Sequence, residues 1–78
     1  MPNQESLLWE RLKPGLVVRT ISGRNVGTVG IVGAHAFRLD DGDRSIWLRP
    51  DILFTIDEGQ VSLICEEAGI ERFVASAG

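Results

Sequence analysis

The chain has 78 residues, of which 44% are hydrophobic and 24% are charged, and this composition is typical of one small folded domain. Its net charge is −3, and a single cysteine and a single histidine exclude an intramolecular disulfide, a cysteine-based metal cluster and a multi-histidine zinc site. The N-terminus lacks a signal-peptide pattern and no apolar run is long enough for a membrane span, so we expect a cytoplasmic protein with no membrane segment.

The N-terminal segment, residues 1–13, is polar at its start, and we predict that it is partly disordered or forms a short helix over residues 7–12. Six residues are too few to be helical without packing onto something else. We therefore expect Trp9 to pack against the following domain or against a second chain. Pro14 and Gly15 end this segment.

From residue 16 onward, short stretches rich in β-branched residues alternate with turn signals and predict six strands. We place these strands at residues 16–21, 26–32, 35–39, 44–48, 54–56 and 60–65. A short helix over residues 66–75 is predicted from the spacing of Ile70, Phe73 and Val74, which puts them on one face. The prediction is a mostly β fold: residues 14–75 form one small six-stranded antiparallel barrel with a C-terminal helix and a possible short N-terminal helix.

Glycines and charged turns give further detail about this fold. Gly27, Gly30 and Gly33 interrupt the second strand, and this spacing predicts β-bulges or strong bending. Residues 40–43, with three aspartates around one glycine, predict a hairpin turn rather than a calcium loop. Pro50 ends the fourth strand because it has no N–H group to donate.

The residues that can carry chemistry are few and isolated. His35 has no carboxylate in its own segment, and Cys65 is expected on the inner face of the last strand as a small buried hydrophobe. The sequence has no nucleophile elbow, metal-ligand cluster or phosphate loop. We therefore predict a protein that is not an enzyme and that has no catalytic residues, no cofactor and no metal.

Two groups of residues are candidates for contact with a partner. Alternation along the fourth strand directs Trp47 away from Ile46 and Leu48, so Trp9 and Trp47 are the candidate interface residues, with cover by the chain itself as the alternative. Residues 12–39 contain basic residues and no acid. In that stretch Arg19, Arg24 and Arg38 are either solvated charges or candidate contacts for an anion.

The order of motifs from residue 15 to residue 65 resembles that of PRC-barrel domains. Val18, Gly23, Val26, Gly27 and Val29 form the pattern V-x4-G-x2-V-G-x-V, and the run Ile46-Trp47-Leu48-Arg49-Pro50 and the triplet Val61-Ser62-Leu63 follow. The resemblance implies a six-stranded barrel that serves as a docking module. The family includes the photosynthetic reaction-centre H subunit and a ribosome-maturation factor, which act through protein contacts, and it has no shared catalytic residues.

A shorter stretch, residues 15–32, is similar to a KOW motif, which is also a strand-turn-strand unit of a small barrel. Gly15, Val18, Gly23, Gly27 and Gly30 fall at its usual positions. KOW domains contact RNA, ribosomal or transcription partners, so this resemblance implies nucleic-acid contact through the basic first hairpin.

Two functional hypotheses follow from the sequence. The first is a non-enzymatic protein-interaction or adaptor domain of the PRC-barrel type with an unknown protein partner. We expect it to be a homodimer because a chain of this size gains little net stability alone. The alternative is a KOW-like barrel associated with RNA or the ribosome.

Overall fold

The computed structural model describes residues 9–76, so the disorder predicted for residues 1–5 and the start of the helix predicted at residues 7–12 lie outside the described residues. Residues 9–11 form a helical turn. The strands are β1 (Val17–Arg19), β2 (Asn25–Val32), β3 (Phe37–Asp41), β4 (Arg44–Leu48), β5 (Leu53–Asp57) and β6 (Gln60–Leu63). Two short 3₁₀ helices are η1 (Pro50–Ile52) and η2 (Glu67–Phe73).

The six strands form a single sheet in the order β4-β3-β2-β1-β6-β5. The mostly β fold with six strands is therefore confirmed, but the predicted closed barrel is wrong, because β4 and β5 are the two margins of an open sheet. The prediction that all strands are antiparallel is also wrong. β1 pairs in parallel with β6, with Val17 opposite Gln60 and Val18 opposite Val61. Every other pairing in the sheet is antiparallel.

One hydrophobic core receives side chains from all six strands, so the sheet curls around it. Phe37, Leu48, Ile52 and Leu63 are its largest fully enclosed apolar side chains. β4 and β5 are consecutive in the chain and are connected by residues 49–52, which include η1. The two margins of the open sheet therefore lie close together at this connection. Burial of these apolar side chains is the main favourable contribution to folding.

Glycines shape β2, as the sequence predicts. The register between β1 and β2 shifts so that Val26 has no partner, next to Gly27, and the register between β2 and β3 shifts at Gly30 and Ile31. Gly27 has φ +140°, and a Cβ atom at this position would overlap the backbone carbonyl oxygen of Asp40. A β-bulge leaves one residue unpaired and bends its strand, which is how β2 follows the curl of the sheet.

The C-terminal segment covers part of the β4 margin. The Arg49 amide donates to the Phe73 carbonyl oxygen at 2.8 Å, and the Ala75 amide donates to the Trp47 carbonyl oxygen at 2.8 Å. The predicted stripe of three apolar residues is only partly correct: Ile70 is buried, Phe73 is partly buried, and Val74 is 48% exposed. η2 has 3₁₀ geometry and ends at Phe73, so Val74 is already extended and pairs with Leu48.

Candidate functional site

The outer margin of β5, here called the β5 edge, is a strand edge that the described residues leave uncovered. β5 pairs with β6 on one side, and within residues 9–76 no strand pairs with its other side. An uncovered strand presents backbone N–H and C=O groups that can pair with another chain. From Leu53 to Ile56 the strand contains no charged residue and no proline, two of the features that protect such edges, and its register with β6 shifts at Phe54.

Three exposed apolar side chains lie at one end of the sheet, next to the β5 edge. Ile21, Phe54 and Ile64 are 55%, 54% and 41% exposed. Ile21 follows β1, Ile64 follows β6, and Phe54 lies near the start of the antiparallel β5, so all three occur at the same end of three neighbouring strands. The Ile21 amide donates to the Cys65 carbonyl oxygen at 3.1 Å, which extends the parallel β1–β6 ladder to this end. We call these three residues the apolar patch.

The two tryptophans named as interface candidates lie in different surroundings. Trp9 packs against the core, with its ring centroid 6.5 Å from that of Phe37 and the two planes tilted by 60°. Trp47 is partly buried and pairs with Arg38 across β3 and β4. Trp9 therefore already has a partner within its own chain, and neither tryptophan belongs to the apolar patch.

Of the three candidate anion-binding arginines, Arg38 is held most firmly. Its Nε donates to Asp40 Oδ1 at 2.7 Å and its Nη2 donates to Asp40 Oδ2 at 3.0 Å. Ser45 Oγ also donates to Asp40 Oδ1, at 2.9 Å. The hydrogen bonds from Arg38 and the smaller contribution of Ser45 lower the pKa of the Asp40 carboxyl group. The ion pair lies over Gly30, where a Cβ atom would meet both side chains.

The other two arginines lie apart from Arg38. Arg19 Nη1 donates to the Gly23 carbonyl oxygen at 3.0 Å, and Arg24 Nη1 lies 3.9 Å from Glu67 Oε1. Arg19 pairs opposite Asn25, whereas Arg38 lies beside Gly30, five residues farther along β2. At about 3.3 Å per residue this separation is about 16 Å, so the structure does not bring the three arginines together into one basic surface.

A cleft of about 400 Å³ lies between η2 and the part of the sheet formed by β2, β3 and β4, and we call it the η2 cleft. Its apolar lining consists of Val26, Leu39, Ile46, Ala68, Ile70 and Val74. The charged residues that line it are Asp41, Arg44, Glu67 and Glu71. Three carboxylates and one guanidinium give this lining an excess of negative charge.

A chain of hydrogen bonds joins the first hairpin to the start of η2, next to the cleft. The buried Thr20 hydroxyl lies 3.1 Å from Ser22 Oγ, and Ser22 Oγ donates to Glu66 Oε1 at 2.7 Å. The Arg24 amide donates to Thr20 Oγ1 at 3.2 Å, so the one buried polar side chain of the described core is satisfied. These contacts fix the position of the segment that carries Glu67.

The remaining reactive side chains stay isolated. His35 is exposed in the loop before β3, and Cys65 is partly buried and packs against the core. Burial raises the pKa of the Cys65 thiol, and the neighbouring Glu66 carboxylate raises it further. Within the described residues, no three His, Cys, Asp or Glu side chains are grouped so that they could hold a metal ion. No helix of residues 9–76 is long and apolar enough to cross a bilayer.

The apolar patch and the η2 cleft are not among the surfaces predicted from the sequence. The signal for part of the patch was present: if Val61 and Leu63 face the core, alternation directs Ile64 outward, and the same reasoning applies to Ile21 after Val18. The cleft has no such signal, because its lining comes from positions between 26 and 74 that only the folded chain brings together.

The comparisons with known proteins add no relative to this description: no family model, no curated protein and no solved structure matches the chain. The resemblances to PRC-barrel and KOW domains therefore stay predictions from the sequence.

Proposed function

We propose that this domain is a non-enzymatic protein-interaction module, an adaptor, and that it forms a homodimer by pairing the β5 edges of two copies. The observation that carries the proposal is the uncovered β5 edge with Phe54 54% exposed beside it. The sequence resemblance to PRC-barrel docking modules points to the same class of function.

Two-fold pairing suits the composition of β5. In an antiparallel arrangement about a two-fold axis, each strand presents the same residues to its copy. Leu53, Phe54, Thr55 and Ile56 are uncharged, so like charges do not face each other across the centre of the pair. Asp57 is at the end of the strand, so the two copies of this carboxylate lie at opposite ends of the paired strands.

The apolar patch supplies the rest of the contact. A stable dimer usually buries about 800 Å² on each partner, which is about a sixth of the 4990 Å² surface of this chain. One strand edge of five residues is not enough for this area, so Phe54 and Ile64, the members of the patch on and next to β5, must also be covered. Their burial adds a hydrophobic contribution to the backbone hydrogen bonds of the paired strands.

The test is the mass of the protein in solution, measured by size-exclusion chromatography with light scattering at micromolar concentration. We expect the dimer mass for the natural chain and the monomer mass for Phe54→Lys, because a lysine at a strand edge disfavours pairing. Ile31→Lys is the matched control, since Ile31 is 45% exposed and lies toward the opposite end of the sheet on β2, and this variant should remain a dimer.

Far-UV circular dichroism of each variant establishes that the fold is retained. A monomer mass for the natural chain throughout the micromolar range would contradict the proposal, and so would equal effects of the two lysine substitutions.

A further inference from the structure

The η2 cleft lies away from the surface proposed for dimer formation, since none of its lining residues belongs to β5, β6 or the apolar patch. Its volume of about 400 Å³ falls within the range of small-molecule sites, which is about 300–1,000 Å³. Most such sites are concave and mainly apolar, with a few polar groups that orient the ligand. The η2 cleft has this composition.

The apolar lining determines what part of a ligand can enter. Val26, Leu39 and Ile70 are almost fully buried at the base of the cleft, and Ile46 and Val74 extend the apolar wall outward. A hydrophobic group placed against these side chains leaves water, which favours binding. A hydrated metal ion gains nothing from such a surface, because it requires oxygen or nitrogen ligands.

The charges around the cleft determine what the polar end of the ligand must be. Asp41, Glu67 and Glu71 contribute three negative charges and Arg44 contributes one positive charge. Glu67 lies 3.9 Å from Arg24, but both side chains are highly exposed, and an exposed pair of this kind is weak. The net field attracts a cation and repels an anion.

We propose that the η2 cleft binds a small organic cation with an apolar body, of the size and chemistry of an arylalkylamine. The aromatic or aliphatic body lies against Val26, Leu39 and Ile70, and the ammonium group lies among the carboxylates of Asp41 and Glu71. This claim is independent of the dimer, because the two surfaces share no residue.

Three indole compounds separate the contribution of charge from that of the apolar body. Tryptamine carries an ammonium group, tryptophol carries a hydroxyl group, and indole-3-acetate carries a carboxylate on the same ring system. Each is titrated through the millimolar range into the ¹⁵N-labelled 78-residue chain, because a ligand of this size typically binds with a millimolar dissociation constant. We expect affinity to fall in the order tryptamine, tryptophol, indole-3-acetate, with amide shifts in residues 41–46 and 67–71.

Three charge variants test the position of the ammonium group. Glu71→Gln should weaken tryptamine binding by about 1.4- to 5-fold, and Arg44→Gln should strengthen it by a similar factor, as is typical of partly exposed charge pairs. Glu58→Gln is the matched control, since Glu58 is in the β5–β6 turn and outside the cleft, and it should leave the affinity unchanged. Phe54→Lys should also bind tryptamine normally, which keeps this result separate from the dimer test.

Equal affinity for the three indoles, or amide shifts confined to residues outside the cleft, would overturn the proposal. It would also be overturned if Glu71→Gln bound tryptamine as tightly as the Glu58→Gln control.

Discussion

Replacing Gly27 with alanine is a direct test of how β2 is packed against β3. Gly27 has φ +140°, a value that residues with a side chain rarely adopt. An added Cβ atom would overlap the Asp40 carbonyl oxygen and would lie 3.1 Å from the Asp40 carbonyl carbon. Both obstacles belong to the backbone, so rotation of a side chain cannot relieve them.

The expected loss of stability has two parts. Forcing alanine into this backbone conformation costs about 1–2 kcal/mol. Moving β2 away from β3 near Asp40 weakens at least one backbone hydrogen bond, which contributes about 1 kcal/mol, and loosens the packing around it. The sum is about 2–4 kcal/mol, against a total of about 4–12 kcal/mol for a chain of this length. The melting temperature should fall by about 10–30 °C.

Thermal and urea unfolding of Gly27→Ala, Gly23→Ala and Gly30→Ala separates the cost of the backbone conformation from the cost of the close contact between β2 and β3. Gly23→Ala carries the strain of a positive φ, +92°, but its Cβ atom has no neighbour within 4 Å, so it should lose only about 1–2 kcal/mol. Gly30→Ala has no positive φ, and the nearest atoms to its Cβ atom belong to the side chains of Arg38 and Asp40, so its cost should be limited to displacing this partly exposed ion pair. If Gly27→Ala were no less stable than Gly23→Ala, the close contact between the strands would not limit this position.

Three further predictions concern charge, thiol reactivity and the C-terminal segment. The Arg38 guanidinium lowers the pKa of the Asp40 carboxyl group. The Arg38–Asp40 pair therefore increases the free energy of unfolding at pH values above the ordinary carboxyl pKa, and this stabilisation is lost as the pH falls through the lowered pKa. The urea midpoint of Arg38→Gln should therefore fall less steeply with decreasing pH than that of the natural chain. Parallel curves of midpoint against pH for the two proteins would contradict this. Burial raises the pKa of Cys65, so its reaction with a disulfide reagent at neutral pH should be slower than that of free cysteine and should accelerate in urea. Deleting residues 73–78 removes the hydrogen bonds of Phe73 and Ala75 to the β4 margin and should lower the melting temperature and increase the mass in light scattering; an unchanged mass would contradict the covering role of this segment.

The hairpins of this fold could be predicted because their signals are local. Gly42 has φ +63° at the first position of the two-residue loop between β3 and β4, which is the place of glycine in a type II′ turn. Glu58 and Gly59 both have positive φ in the loop between β5 and β6, as a type I′ turn requires. In each case a few adjacent residues determine the geometry, so the sequence alone indicates where the chain reverses.

The arrangement of the hairpins could not be predicted in the same way. Val18 pairs with Val61, and no feature near either residue specifies the other. Both strands are short, with three and four residues, and such strands can pair in either direction. The opening between β4 and β5 likewise depends on how strongly the whole sheet curls. The η2 cleft could not be predicted for the same reason, because it combines residues from β2, β3, β4 and η2 that are distant in the sequence.

β1 has only three residues, yet among the strands of residues 9–76 it alone joins the antiparallel unit β2-β3-β4 to the hairpin β5-β6. The antiparallel unit and the hairpin can each form early through local contacts, because their loops are short. The parallel pairing of β1 with β6 must close a loop of about forty residues, and such distant contacts slow folding. Formation of the complete sheet therefore has to wait for synthesis of the last strand, and until then the β1 edge that receives β6 is open to other chains.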